Sequence, residues 1–431
     1  MQTRAIWYGL ASLAALLPIG LRIVTMHSDR PAPVDPAMAK AGEELFNHDW
    51  TANDPLANGG DGLGPVFNAK SCVSCHNQEQ GGTGGGGGLE SNVTTYAVRI
   101  GTSGDVREGV IHKFGGESLA DVSPTLPNVT STNLTLDQLP RGTGGMLPPN
   151  ALRLPRGVRI SQLNTPALFG AQLIDDLPES AILANEKAQH LRFAMAPAGG
   201  TSYPVGRATR TASGKIGRFG WKAQTPSLGA FVRAACANEL GLGNPSQAQP
   251  VPLNNPTYRP ASLDLTDGQC DQLTAFVASL GRPIEKTPES VADAEMSAAG
   301  KKLFASVGCA DCHVPDVGNV SGLYSDLLLH HMGADLEGGG SYYDVPLPSP
   351  AAPPSDDPEP EGAATPAEWR TPPLWGVADS APYMHDGRAA TLEEAIRAHT
   401  GQGAPSATRF NKLSVLEQKQ LVAFLKTLRA P

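Results

Sequence analysis

The chain of 431 residues is long enough to bury the cores of two or three domains. Its formal net charge of −9 and the lack of a lysine or arginine cluster argue against nucleic acid as a partner. The negative charge is compatible with a basic protein partner. A solvated acidic surface explains the same charge equally well. With 48 glycines and 38 prolines, the chain is expected to have long loops and short helices.

The first 30 residues predict an export segment. MQTR supplies a positive start, residues 5–21 form an apolar run, and a polar, Pro-rich stretch follows Arg22. The run is long for a cleaved signal peptide and short for a membrane-spanning helix. Both a signal peptide and an uncleaved inner-membrane anchor therefore stay open, and either interpretation puts the rest of the chain in the periplasm.

Three pairs of similar segments occur in the same order in the two halves of the chain. They are AGEELF (41–46) with AGKKLF (299–304), TPALFG (165–170) with TPPLWG (371–376), and LTAFVASL (273–280) with LVAFLKTL (421–428). Each first member precedes or follows a CxxCH motif in the same way as its counterpart. This shared order indicates a tandem duplication.

Each half contains one CxxCH motif, CVSCH at 72–76 and CADCH at 309–313. In this motif two thiols add to the vinyl groups of one porphyrin, and the adjacent histidine binds the iron. A zinc site would need further ligands, and a thioredoxin-like pair would not need the histidine. The predicted attachment and ligand residues are Cys72, Cys75 and His76 for the first haem c and Cys309, Cys312 and His313 for the second.

The fold predicted from these motifs is mainly α, with two tandem cytochrome c-like helical domains, long loop insertions and one covalent haem c in each. The first domain is expected over 31–283, a linker over 284–293 and the second domain over 294–431. A Gly-rich run at 81–88 and a Pro-rich stretch at 346–368 are read as loops. The remaining cysteines, Cys236 and Cys270, form either a disulfide or two buried thiols.

The segment APYMHDGRAATLEEAIRAH near the C-terminus offers three side chains that can bind iron: Met384, His385 and His399. Thr391 and Glu394 form a capping-box pattern, which predicts a helix over TLEEAIRAH. His399 shares one face of this helix with apolar residues, so we expect it to face the interior and bind the second haem. Met384 and His385 lie in a tight turn and are expected to line the pocket or to bond locally.

These residues resemble the bacterial di-haem cytochrome c peroxidase and MauG superfamily, and within it the di-haem oxidoreductase branch, sometimes called thiol oxidoreductase-like. The resemblance rests on GDGLGPVFNAKSCVSCHN (60–77), GRFGWKAQTPSL (217–228), SDLLLHHMG (325–333) and WRTPPLWGVADSAPYMHDGRAATLEEAI (369–396). In the peroxidases, the residue fourteen positions after the histidine of the APYxHxG segment binds the second haem as Met, and MauG has Tyr there. Here the residue is His399, and His/His ligation usually gives a lower reduction potential than His/Met.

The resemblance implies that peroxide reacts at the first haem while the second haem transfers electrons, with a carboxylate near the first iron moving the proton. The candidates for this carboxylate are Glu179 and Glu239, with Asp175 and Asp176 beside the former; a surface or capping role is the alternative for each. No distal ligand is assigned to the first haem. His112 is the nearest downstream histidine, and a core or solvated role is the alternative reading of it.

Three further expectations follow from the resemblance. MauG-type enzymes use a tryptophan between their haems, and no tryptophan lies between His76 and Trp221, so Tyr96 or direct transfer between haem edges would have to serve. One of His330 and His331 is expected to bond a haem propionate or to line the second pocket, with a solvated pair as the alternative. Calcium is a further candidate cofactor.

The leading prediction is an exported di-haem c-type oxidoreductase that reduces hydrogen peroxide with electrons from a small redox protein, a cytochrome c or a cupredoxin. One alternative is MauG-like oxidation of a protein or of a metal-binding partner. The other is a non-catalytic electron-transfer cytochrome. That class requires a strong distal ligand on each haem, and the sequence supplies one only for the second.

Overall fold

The fold is given by a computed structural model. It describes residues 33–77, 83–99, 106–140, 147–196, 203–211, 213–338 and 363–431. The predicted export segment and most of the Pro-rich stretch at 346–368 lie outside these ranges.

Ten α-helices make up most of the regular structure in the described ranges. They are α1 (Pro36–Asn47), α2 (Leu119–Val122), α3 (Ala171–Asp175), α4 (Glu179–Ala194), α5 (Leu228–Leu240), α6 (Asp267–Ser279), α7 (Val291–Ser306), α8 (Leu392–Arg397), α9 (Ala404–Asn411) and α10 (Val415–Leu425). Thr266 and Ser414 start α6 and α10 with capping boxes. The helices that the repeated segments predict at the start and end of each half are therefore α1, α6, α7 and α10.

The two halves use the same helix–helix joint, in which α1 packs on α6 and α7 packs on α10. A Cβ atom added to Gly42 would lie 1.9 Å from the carbonyl oxygen of Gln272, and one added to Gly300 would lie 1.9 Å from that of Gln420. Only glycine fits at such a distance. Each joint also packs one phenylalanine from each helix against the other: Phe46 with Phe276, and Phe304 with Phe424.

The first half also contains a three-stranded antiparallel sheet, in the order β2–β1–β3. Its strands are β1 (Val93–Arg99), β2 (Val106–Ile111) and β3 (Val158–Leu163). The sequence predicted a mainly α chain and did not predict this sheet. The physical reason lies in β1, which is buried from Val93 to Val98 and so lacks the alternation of polar and apolar residues that marks a half-buried strand.

The two halves pack against each other closely. The stretch 284–293, predicted to be a linker, begins with β4 (Ile284–Glu285), which pairs with the C-terminal strand β7 (Leu428–Arg429). A bridge from Arg207 joins the first half to β5 (Leu329–His331), whose other neighbour is β6 (Glu368–Arg370). The largest cluster of buried apolar side chains draws on both halves, from Leu45 and Phe276 to Leu323 and Trp375.

Candidate functional site

The first CxxCH motif opens onto a cavity of about 110 Å³, here called the first cavity, which Cys72, Cys75 and His76 line. The motif forms a helical turn, in which the backbone N–H of His76 donates to the carbonyl of Cys72 at 2.9 Å. The His76 ring lies 3.1 Å through Nδ1 from the carbonyl oxygen of Pro166. Because a carbonyl can only accept, Nδ1 carries the proton and Nε2 keeps the free lone pair that a metal needs. Burial lowers the pKa of His76 to about 4, so its imidazole is neutral.

The second CxxCH motif lines a larger cavity of about 330 Å³, here called the second cavity. His313 repeats the arrangement of His76, with its Nδ1 2.9 Å from the carbonyl oxygen of Tyr324. His399 lines the same cavity, and its Nδ1 lies 2.8 Å from the carbonyl oxygen of Ala395. Both rings therefore keep Nε2 free, and burial lowers the pKa of each.

The rings of His313 and His399 face each other with centroids 6.5 Å apart and planes at 69°. This separation accommodates one metal ion bound to a nitrogen of each ring at about 2 Å. Two thiols beside the pair and apolar side chains around it, among them Phe304 and Leu425, fit a porphyrin whose iron is bound on both faces. The second cavity thus fits a haem group.

The support of His399 differs from the prediction in one respect. The capping box at Thr391 and Glu394 is present, but the helix ends at Arg397, two residues before His399. His399 is held instead by its bond to Ala395 and by the close approach of Gly403, where a Cβ atom would lie 3.0 Å from that of His399.

Met384 and His385 both line the second cavity. The His385 ring is stacked on Trp369 at 3.7 Å with an interplanar angle of 16°. A ring stacked face to face in this way is held by packing rather than turned towards the His313–His399 pair.

The first cavity has a different set of polar groups. Among the described residues that line it, His76 is the only histidine, and there is no methionine, tyrosine or lysine. Glu239 and Gln224 are present instead. Glu239 accepts from Asn68 Nδ2 at 2.9 Å through Oε2, and its buried Oε1 has no hydrogen-bond partner in the described structure. Burial raises the pKa of the Glu239 carboxyl to about 7.

The other carboxylates that the sequence singled out accept hydrogen bonds outside the two cavities. Glu179, the first residue of α4, accepts from the backbone N–H of Ile216 at 3.0 Å and lines neither cavity. Asp175 accepts from the backbone N–H of Leu228 at 2.9 Å. Asp176 accepts from Gln172 within its own turn.

His112 and Tyr96 line neither cavity. His112 is buried behind Glu239, where its Nδ1 lies 2.5 Å from Glu117 and its Nε2 3.1 Å from the carbonyl of Asn238. Tyr96 is fully buried in the core of the three-stranded sheet. Cys236 and Cys270 are separate buried thiols, and the former lines the first cavity.

The two cavities share a wall that includes Asn164, Thr165, Pro166 and Trp221, which line both of them. The indole Nε1–H of Trp221 donates to the carbonyl of Asn164 at 2.9 Å and fixes the ring in this wall. The sequence has no tryptophan between His76 and Trp221, so none was expected near the first CxxCH motif. Trp221 was missed because only the folded chain brings residue 221 beside residue 164.

His330 and His331 differ in environment. His330 is 2% exposed and lines the second cavity. His331 is exposed, and its Nδ1 accepts from the backbone N–H of Gly333. In the part of the chain that the structure describes, no helix is long and apolar enough to cross a membrane.

A protein-family model described as "Di-haem oxidoreductase, putative peroxidase" matches residues 152–428. The gamma subunit of hydrazine synthase from Kuenenia stuttgartiensis is 27% identical over 202 residues, which cover 43% of this chain and 56% of that protein. The match thus spans little more than half the length of this relative.

Two solved structures are similar over most of their length. Hydrazine synthase of Kuenenia stuttgartiensis, pressurised with xenon, is 16% identical with a TM-score of 0.41, covering 99% of this chain and 100% of that chain. The di-haem peroxidase BthA from Burkholderia thailandensis is 14% identical with a TM-score of 0.40, covering 93% and 87%. Because the family model matches more than half of the residues, this chain belongs to the di-haem oxidoreductase family, whose cofactors are haem groups.

Proposed function

We propose that the protein is a di-haem c-type peroxidase that reduces hydrogen peroxide at its first haem site and receives electrons through its second. The balanced reaction takes one H₂O₂, two protons and two electrons to two molecules of water, and an external redox protein is the reductant. The observation that carries the proposal is the difference between the cavities. The rings of His313 and His399 lie opposite each other in the second, whereas the described lining of the first contains no histidine besides His76. An open iron face lets peroxide bind, and a closed one transfers electrons.

In this proposal each haem is covalently attached, through Cys72 and Cys75 in the first cavity and through Cys309 and Cys312 in the second. The haems supply the redox chemistry. The equivalent helix joints at Gly42 and Gly300 support the corresponding view of the fold, with a cytochrome c-like unit over 31–283 and a second over 294–431.

Glu239 is the carboxyl group that we propose moves the proton at the first site. It lines the first cavity, and its unpartnered Oε1 is free to meet a ligand there. A carboxyl group whose pKa is about 7 can both hold and release a proton at neutral pH. Glu179 is not proposed for this role because its carboxylate is engaged by the backbone of Ile216.

Trp221 is the residue that we propose lies on the electron path between the haems. Its indole lines both cavities and is held by Asn164, so it offers an aromatic ring between the two sites. The same observation supports the second candidate function, MauG-like oxidation of a protein or metal-binding partner. From the sequence alone, no tryptophan was expected between the haems for such long-range oxidation.

The donor that fits this function is a small cytochrome c or cupredoxin in the periplasm. The apolar run at 5–21 would export the chain as a signal peptide or hold it at the inner membrane. Calcium, which relatives of the superfamily bind, stays a candidate second cofactor.

Electron paramagnetic resonance of the oxidised haem-loaded protein tests the proposal. We expect one low-spin signal from the second haem, and a high-spin signal from the first in either the oxidised or the one-electron-reduced state. Two low-spin signals in both states would assign the protein to the non-catalytic electron-transfer class. Turnover of peroxide with a reduced cytochrome donor then separates the peroxidase from the MauG-like function.

A further inference from the structure

His330 belongs to a closed ring of hydrogen bonds beside the second cavity, here called the His330 ring. Its members are Gln189, Asp326, His330, Gln402 and the backbone of Val205 and Gly206. His330 Nε2 lies 2.8 Å from Asp326 Oδ2, and His330 Nδ1 lies 2.7 Å from Gln402 Oε1. Gln402 Nε2 donates to the Val205 carbonyl at 3.2 Å, the Gly206 N–H donates to Gln189 Oε1 at 2.7 Å, and Gln189 Nε2 returns to Asp326 Oδ2 at 2.7 Å.

The directions of these bonds determine the charge of His330. The amide of Gln402 is oriented by the Val205 carbonyl, which takes its N–H, so its Oε1 faces His330 as an acceptor. His330 Nδ1 must therefore donate. On the other side, Asp326 also receives the amide of Gln189 on Oδ2 and the backbone N–H of Leu328 on Oδ1. Both oxygens of Asp326 therefore act as acceptors towards N–H donors.

The proton between the imidazole and this carboxylate therefore belongs to the imidazole, which is the stronger base. Both ring nitrogens of His330 donate, and the side chain is an imidazolium. Its raised pKa, to which the charge of Asp326 contributes, agrees with the bonding pattern. Both N–H groups are taken by Asp326 and Gln402, so His330 has none left for a haem propionate, in contrast to one of the two roles expected from the sequence.

The cationic end of this pair faces the cofactor site. His330 lines the second cavity, and its Nδ1 lies 3.7 Å from the sulfur of Cys312. Asp326 is fully buried and does not line the cavity. A buried ion pair is a weak source of stability because both charges lose their hydration. The position of the His330–Asp326 pair beside Cys312 suggests an electrostatic role towards the cofactor instead.

We propose that the His330 imidazolium, held in its charged form by Asp326, raises the reduction potential of the second haem. Oxidation adds one positive charge to the haem, and a fixed cation beside it in a low-dielectric interior disfavours that charge. The effect opposes the low potential that His/His ligation by His313 and His399 confers. The inference rests on the proposed assignment of a haem to the second cavity.

The test is the midpoint potential of the second haem in the haem-loaded protein, measured by spectroelectrochemistry. In His330→Gln, which removes the cation and leaves Asp326 charged, we expect the equilibrium to shift at least tenfold towards the oxidised haem. A tenfold shift in a one-electron couple is a midpoint lower by about 59 mV. Asp326→Asn leaves a neutral imidazole and should lower the midpoint by less. His331→Gln, in the exposed neighbour, is the matched control and should leave it unchanged.

The optical and resonance spectra distinguish this effect from a structural one. A lower midpoint with an unchanged low-spin signal supports the electrostatic role. An unchanged midpoint in His330→Gln, or a second haem that turns high-spin, would overturn it. If His330→Gln fails to bind haem, the midpoint of Asp326→Asn decides alone. A rise in that midpoint would show that His330 stays charged without Asp326, which would overturn the proposal. The readout is the midpoint potential and not turnover. A wild-type protein without peroxidase activity would therefore refute the proposed function and leave the measured effect of His330 on the potential valid.

Discussion

Replacement of Glu239 by glutamine is expected to change the rate of peroxide reduction and the stability of the protein in opposite directions. Glutamine keeps a carbonyl oxygen that can accept from Asn68 at the present 2.9 Å. It cannot exchange a proton at neutral pH. Removal of a positioned acid–base group lowers a rate by about 100-fold or more. We expect Glu239→Gln to lower the rate of peroxide reduction by that amount at pH 7.

The effect on stability has the opposite sign. Burial raises the pKa of Glu239 from 4.5 to about 7 in the folded protein. Between these two pH values the folded state keeps a proton that the unfolded chain releases, so stability falls as pH rises. A difference of this size corresponds to about 3 kcal/mol lost by pH 8 relative to pH 4. Glutamine carries no such penalty, so Glu239→Gln should be more stable than the wild type at pH 8.

Stopped-flow reaction with peroxide and urea unfolding at pH 5 and pH 8, both on the haem-loaded proteins, measure the two effects. Glu179→Gln is the matched control, because this carboxylate is half-buried and lines neither cavity; it should retain the wild-type rate. A Glu239→Gln variant that reacts within threefold of the wild type would refute the assignment. An equal loss of stability at both pH values would refute the account of its burial.

Three further predictions concern the two haem sites and the joints that hold them. His399→Ala should convert the second haem from low-spin to high-spin in the resonance spectrum, whereas His385→Ala should leave it low-spin; the reverse result would exchange the two assignments. Trp221→Phe removes the indole shared by both cavities and should slow electron transfer between the haems at least tenfold after stopped-flow reduction, with both haem spectra unchanged; an unchanged rate would show that the indole is not on the electron path. Gly42→Ala and Gly300→Ala each drive a Cβ atom to 1.9 Å from a carbonyl oxygen, so urea unfolding should show a loss of about 3 kcal/mol or more in either variant; a loss below 1 kcal/mol would mean that the helix pairs can separate freely.

The parts of the fold that could be predicted are the helices formed by the segments that occur in both halves of the sequence. AGEELF and AGKKLF lie in α1 and α7, and most of each paired segment at 273–280 and 421–428 lies in α6 and α10, because both copies have the apolar spacing of a packed helix. The capping box at Thr391 was also confirmed. The three-stranded sheet and the pairing of the predicted linker with the C-terminus were not foreseen. The pairing of β1 with β3 and of β4 with β7 joins segments far apart in sequence, which no local pattern records.

The same limit applies to the candidate sites. The CxxCH motifs predicted Cys72, His76 and their counterparts because the motif is local, and these residues do line the two cavities. Trp221, the unpartnered oxygen of Glu239 and the double hydrogen bonding of His330 depend on the folded neighbourhood of each residue. Composition and spacing carry no information about such neighbourhoods, so the sequence could give these residues only as candidates or not at all.

The hydrogen bond from His76 to Pro166 links the orientation of one proposed iron ligand to the shape of the other cavity. Pro166 stands in the wall that both cavities share, so the carbonyl that aims the His76 ring belongs to the segment that lines the second cavity. A shift of residues 164–166 in response to a change in the second cavity would turn the His76 ring as well. The two sites are therefore joined mechanically as well as by proximity. A mutation in this short segment cannot be expected to alter one site alone.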